Sequence, residues 1–262
     1  MVLNVSETAT FALPQGARTS ARLAVAWQNP ATRQIVPVGM LTWDGSVYDF
    51  AYLRAADSVP DFRPLLGFPA MRRLYRSPRL FPLFAQRVMN HDRPDYGRYL
   101  QALDLELTAS KWELLARSEG RREGDSVLVF PEPVVAPDGA SYTKVLVHGI
   151  RHLQKANPQV EQCLRALRAG DRLDLVEDPT NKMNPRAMLV ADSGQVPLGY
   201  FPDLLLGYLH HLRERGAANV SVERVNPPET PPHLRLLINV RGDAGMGYVP
   251  FSGTPWELNT GE

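Results

Sequence analysis

Along the first half of the chain, hydrophobic positions come in short alternating runs. Leu23, Val25 and Trp27 alternate with smaller residues, the period-two signature of a strand. Val36 to Trp43 and Val47 to Leu53 predict two more strands, joined at Asp44-Gly45. That pair suits a type I′ hairpin turn, whose central positions need positive φ. From Asp57 to Pro82 proline and arginine interrupt the pattern, and extended or turn-like structure is expected. The period then changes. Leu80, Leu83, Phe84 and Val88 recur at helical spacing, with Pro82 tolerable only in a first turn. Tyr96, Tyr99, Leu100 and Leu103 predict a second short amphipathic helix. Ser110 is placed to cap a third, running through Trp112, Leu114 and Leu115. Gly120 and Gly124 end this helical region, and Ser126 to Phe130 predicts a strand.

The three prolines of residues 131–137, followed by Asp138-Gly139, mark the domain boundary expected from the sequence. Beyond it, Tyr142 to Val147 predicts a strand leading into His148-Gly149-Ile150-Arg151-His152. Val160 to Leu167 predicts an amphipathic helix, with Gly170 past its end. Strands are expected at Leu173 to Val176, Ala187 to Val190, Val196 to Tyr200, Val220 to Val225 and Leu234 to Val240. Pro202 opens a helix carrying Leu205, Leu206, Leu209 and Leu212. Many short strands with two helices predict a small β-barrel in this half. The expected division is a loose tail over 1–20, an α+β domain over 21–137, a second domain over 138–255 and a short tail over 256–262.

Composition narrows the function classes. The 262 residues are 44% hydrophobic, as in a globular protein, and carry a formal net charge of +1. Near-neutrality argues against coating nucleic acid through bulk charge but leaves room for a local basic patch. One cysteine, Cys163, allows neither an internal disulfide nor a cysteine-clustered metal site, which points to a reducing cytoplasm. The first twenty residues lack the layout of a signal peptide, and no apolar run is long enough to span a bilayer. A bacterial cytoplasmic protein that does not enter membranes is expected.

Tests for catalytic chemistry find little. No Walker-type phosphate loop is present, and Gly242-Asp243-Ala244-Gly245-Met246-Gly247 has the wrong spacing for a dinucleotide fingerprint. His210 and His211 are adjacent on a helix and diverge, so they do not form a chelating pair. Cys163, beside Leu164 and Leu167, reads as a small core residue. No enzyme activity, cofactor or metal is expected.

Three segments occur in a telling order. They are His148 to His152, then Asp178-Pro179-Thr180-Asn181-Lys182-Met183-Asn184-Pro185-Arg186-Ala187-Met188, then Leu198-Gly199-Tyr200-Phe201-Pro202. The order resembles the HIRAN domain, over about Tyr142 to Phe251. That resemblance implies an OB- or SH3-like barrel and a pocket for the 3′ end of single-stranded DNA. The contact surface it implies is Arg151, His152, Asn181, Lys182, Asn184 and Tyr200. A guanidinium pairs with phosphate bidentately, and Lys182 adds a point charge. His152 and Tyr200 offer flat faces for an unpaired base, and the two asparagines can reach a sugar or base edge. The chain departs from the family pattern at Leu153, where a second aromatic is usual, at Met183, and at Asn184, where the family has an acid. The departures weigh on 3′-end specificity more than on nucleic-acid binding. Each residue also has a structural role open to it: the asparagines as turn braces, Gly199 and Tyr200 in packing, Arg151 in a surface ion pair.

The amino-terminal half contains Val38-Gly39-Met40-Leu41, Phe50-Ala51-Tyr52, Phe81 to Phe84, and Leu114-Leu115 leading to Gly120 and Asp125-Ser126. This resembles the small amino-terminal subdomain of HipA-type toxin kinases, over about Ala21 to Pro133, without the kinase body. The resemblance implies an α+β domain and a protein-docking role, which is the alternative to DNA binding. Seven arginines lie between Arg72 and Arg98, among them Arg72, Arg73, Arg76 and Arg79, interleaved with Tyr75, Tyr96 and Tyr99. Such a stretch can track a phosphate backbone, or cover apolar surface with arginine stems.

Overall fold

In a computed structural model the described residues are 21–122 and 124–261. The loose tail expected over 1–20 lies outside them. The fold is α+β with antiparallel sheets. The first half holds β1 (Ala21–Gln28), β2 (Ile35–Trp43), β3 (Tyr48–Tyr52) and β4 (Tyr75–Ser77). Short helices α1 (Pro82–Ala85), α2 (Tyr96–Ala102) and α3 (Lys111–Arg117) follow, then β5 (Val127–Pro131). The sheet order is β4-β3-β2-β1-β5. Ser110 caps α3 as its sequence suggests, in a reciprocal capping box with Glu113. The helix expected from Leu80 is only four residues long, although Leu80 and Val88 on either side of it also pack against the core.

The strand β1 explains how the halves join. Leu23, Val25 and Trp27 point into a core with Val38, Phe50, Tyr52, Phe68, Phe84 and Trp112. The alternating Ala24 and Ala26 point the other way, into a second core, and are just as fully buried. Strand β5 behaves alike, with Val127 and Val129 on one side and Leu128 and Phe130 on the other. The first sheet is therefore a wall between two cores, and the alanines are small because the second half packs directly on them.

The second half starts with β6 (Val134–Val135) and β7 (Ala140–Leu146), then α4 (Ile150–Ala156) and α5 (Gln159–Ala166). It continues through β8 (Arg172–Glu177), β9 (Met188–Ala191), β10 (Pro197–Tyr200), α6 (Leu206–Arg215), β11 (Asn219–Val225) and β12 (Leu236–Asp243). Two expectations need correction. There are three helices among the described residues of this half, not two. Gly149, at φ +71, turns the chain after β7 straight into α4, whose Ile150 and Leu153 pack on the core.

Nor do the strands form a closed barrel. They make an open sheet of order β10-β9-β8-β11-β12-β7-β6. Edge strand β10 and the residue just past β7 meet at a single antiparallel bridge, His148 with Tyr200, through hydrogen bonds of 2.9 and 2.8 Å. One residue pair is all that fits, because β7 has ended and α4 begins at the next position but one.

Polar ties reinforce the junction. Asp104 accepts from Lys144 at 2.8 Å and Arg224 at 3.1 Å, and Asn226 donates to the Ala102 carbonyl at 2.8 Å. Residues 256–261, which the sequence suggests are a tail, run back over the first sheet. Leu258 bridges Leu53, and the Asn259 and Gly261 N–H groups donate to the carbonyls of Tyr52 and Arg72.

Candidate nucleic-acid interface

Tyr200, the last residue of β10, organises this surface. Its ring lies on Gly149, where an added Cβ would come within 3.1 Å of the ring edge. The preceding Gly199 passes so close to His148 that a Cβ there would sit 2.5 Å from the His148 carbonyl oxygen. The phenol donates to Asp178 at 3.0 Å, and Thr180 donates to the other oxygen of that carboxylate at 2.7 Å. Burial first, and then the Asp178 carboxylate, raise the Tyr200 pKa above its ordinary value. The Asp178 pKa is lowered, chiefly by the Thr180 hydroxyl and despite partial burial. Asp178 is thus a fixed anion that orients the ring.

The loop between β8 and β9 is braced by its asparagines. Asn181 Oδ1 accepts from the N–H groups of Met183 at 2.9 Å and Asn184 at 3.3 Å. Asn184 Oδ1 accepts from the Arg186 N–H at 3.0 Å, and its amide donates to Asp203 at 3.3 Å. These are Asx turns. Both amide oxygens are engaged within the loop, as turn bracing requires. Burial raises the Asp203 pKa, with Asn184 and His148 opposing it.

Arg151 and His152 sit in the first turn of α4 rather than on a strand exit, and both are exposed. Arg151 is two residues from Gly149, which lies against the ring edge of Tyr200. Lys182 is exposed and follows Asn181, in the loop that holds the phenol. Among the described residues none of these three side chains makes a hydrogen bond or ion pair. Arg151, His152 and Lys182 thus lie exposed on the two segments, the start of α4 and the β8–β9 loop, whose Gly149 and Asp178 touch the Tyr200 ring.

The arginine stretch of the first half behaves differently. Arg72, Arg73, Arg76 and Arg79 are all exposed. Arg76 is engaged bidentately by Asp49, with both bonds at 2.8 Å, and Arg73 lies 5.3 Å from the centre of the Tyr75 ring. Further along, Arg87 is fully buried and donates to Asp125, while Arg93 is clamped by Asp95. A run that looks uniform in sequence is split into surface, core and paired arginines.

One polar cluster is absent from the sequence reading. Buried Glu119 accepts from His148 and Arg121, and His233 stands beside them. Burial, and next Arg121, push the His233 pKa down to about 4. Glu119 comes from the first half and His148 from the second, so no local spacing signals the pair.

No family model matches the chain, and no curated protein matches it. A crystal structure of a protein from Lactobacillus plantarum is similar over 40% of this chain and 99% of its own, at 20% identity and a TM-score of 0.30. A likeness of that size bears on neither fold nor function.

Proposed function

We propose that this protein binds nucleic acid, single-stranded DNA in the first instance, on the surface formed by the start of α4 and the β8–β9 loop. The observation that carries the reading is the exposure of Arg151, His152 and Lys182, without hydrogen-bond or ion-pair partners among the described residues, on the two segments that hold the ring of Tyr200. Unpaired cations beside an aromatic anchor are what a phosphate backbone with a splayed base requires. Turn bracing accounts for Asn181 and Asn184, yet it places no demand on Arg151 or Lys182. The preference for a free 3′ end follows from the HIRAN resemblance. Its acidic acceptor is replaced by Asn184, whose oxygen is engaged by the Arg186 N–H.

The test is fluorescence anisotropy with single-stranded DNA bearing a 3′ hydroxyl, the same strand with a 3′ phosphate, and duplex. Tighter binding of single strands, weakened by salt and lost in Arg151→Ala/Lys182→Ala, is the expected result. Equal binding to the hydroxyl and phosphate ends removes end recognition. No binding at low salt overturns the reading.

A further inference from the structure

A groove of about 1130 Å³ runs between the two halves. Arg87, Arg93, Arg98, Arg121, Arg122 and Arg224 line it, against only Asp95 and Glu229 among its lining acids. Four of these arginines have carboxylate partners: Arg87 with Asp125, Arg93 with Asp95, Arg121 with Glu119 and Arg224 with Asp104. Among the described residues the other two do not. Arg122 donates only to the neutral Gln86, at 2.9 Å, and Arg98 makes no hydrogen bond or ion pair among the described residues. Both are exposed.

Donors outnumber acceptors even where the charges are paired. The Nε atoms of Arg87, Arg121 and Arg224 are buried without an acceptor. Burial, with Arg121 adding to it, disfavours a proton on His233 at the groove's edge.

One wall of the groove abuts the helix of the surface described above. The short turn Pro232–Leu234, which contributes His233 and Leu234 to the groove, packs against α4, the helix that carries Arg151 and His152. Arg121 reaches His148, the residue before Gly149. Apolar wall is supplied by Met89, Tyr99, Pro227 and Pro231. An open trough with exposed guanidinium groups and apolar ledges suits the backbone and bases of a single strand.

We propose that a single strand of nucleic acid held at the α4 surface continues into this groove, where Arg98 and Arg122 contact its phosphates. The inference rests on the nucleic-acid reading above but concerns different residues, so the two can fail separately.

The experiment compares oligothymidylates of about 4 and about 16 nucleotides, lengths that bracket common single-strand sites, on the full chain across a salt series. The longer strand is expected to bind more tightly. In Arg98→Ala/Arg122→Ala that gain disappears, and the slope of log affinity against log salt falls by about 1.4, two phosphates at about 0.7 each. Arg98→Lys/Arg122→Lys keeps the slope. An unchanged slope and affinity for the longer strand in the alanine variant overturns the proposal, while loss of binding in Arg151→Ala/Lys182→Ala upholds the α4 reading. The converse result upholds the groove and removes the α4 surface. Absence of binding by the unaltered protein overturns both. Inorganic tripolyphosphate that binds as well as the longer strand, and is lost in the same alanine variant, assigns the groove to a small polyphosphate and overturns the strand proposal.

Discussion

The carboxylate of Glu119 lies 2.7 Å from Nε2 of His148, joining the two halves of the chain at a point where Glu119 is 3% exposed. Arg121 reaches both groups from 3.4 Å. Behind this pair stands the bridge from His148 to Tyr200, so the contact between the halves and the candidate interface share one residue.

Removing the buried acid leaves His148 and Arg121 without their acceptor. Glu119→Ala is expected to cost about 3–5 kcal/mol, as for other broken buried pairs. Glu119→Gln keeps an acceptor oxygen and costs less. Urea unfolding monitored by tryptophan fluorescence measures both, and equal costs would show that the charge is irrelevant.

Acid should loosen the same junction at Asp104. Burial raises its pKa, but Lys144 and Arg224 outweigh burial and bring it down to about 2. A carboxyl lower in the folded than in the unfolded state stabilises above its unfolded value of about 3.9. That contribution is lost as pH falls through 3.9 towards 2. Asp104→Asn should be less stable at pH 6 and lose less stability between pH 5 and pH 2.5. Parallel pH profiles would contradict this.

At Gly199 an alanine has no room. Its Cβ would sit 2.5 Å from the His148 carbonyl and closer still to the Val147 side chain. Gly199→Ala is expected to cost about 1–3 kcal/mol through overpacking. It should also weaken DNA binding, because Tyr200 moves with β10. A stable variant with unaltered hydrogen exchange at the Tyr200 amide would contradict the close approach.

Asn184 and Lys182 separate bracing from contact. Asn184→Ala loses the bonds to the Arg186 N–H and Asp203 and should cost about 1–3 kcal/mol of stability, with the salt dependence of binding unchanged. Lys182→Ala should leave stability within about 0.5 kcal/mol and lower the salt slope by about 0.7. Reversed behaviour of the two variants would exchange their roles.

Local chemistry in the chain was enough to locate most strands, the capped helix at Ser110 and a hairpin turn near Asp44-Gly45, because period, capping and turn preference act over a few residues. The turn is not type I′, since only Gly45 of the pair takes a positive φ and Asp44 instead accepts from the Ser46 and Val47 N–H groups. Local chemistry also singled out the loop of Asn181 and Asn184. The Gly149 segment was misread, since a glycine at positive φ serves equally to leave a strand or to start a helix. Barrel closure was not legible either. It depends on whether β7 and β10 meet along their length, and here α4 leaves room for one residue pair. Nor did spacing distinguish the arginines: burial put Arg87 in the core, Asp49 took up Arg76, and Arg98 and Arg122 were left exposed. Contacts between residues far apart in the chain, such as Glu119 with His148 and Ala24 with the second core, are set by how the two sheets pack. No local pattern encodes them, because each partner's chemistry is satisfied only once the other half is in place.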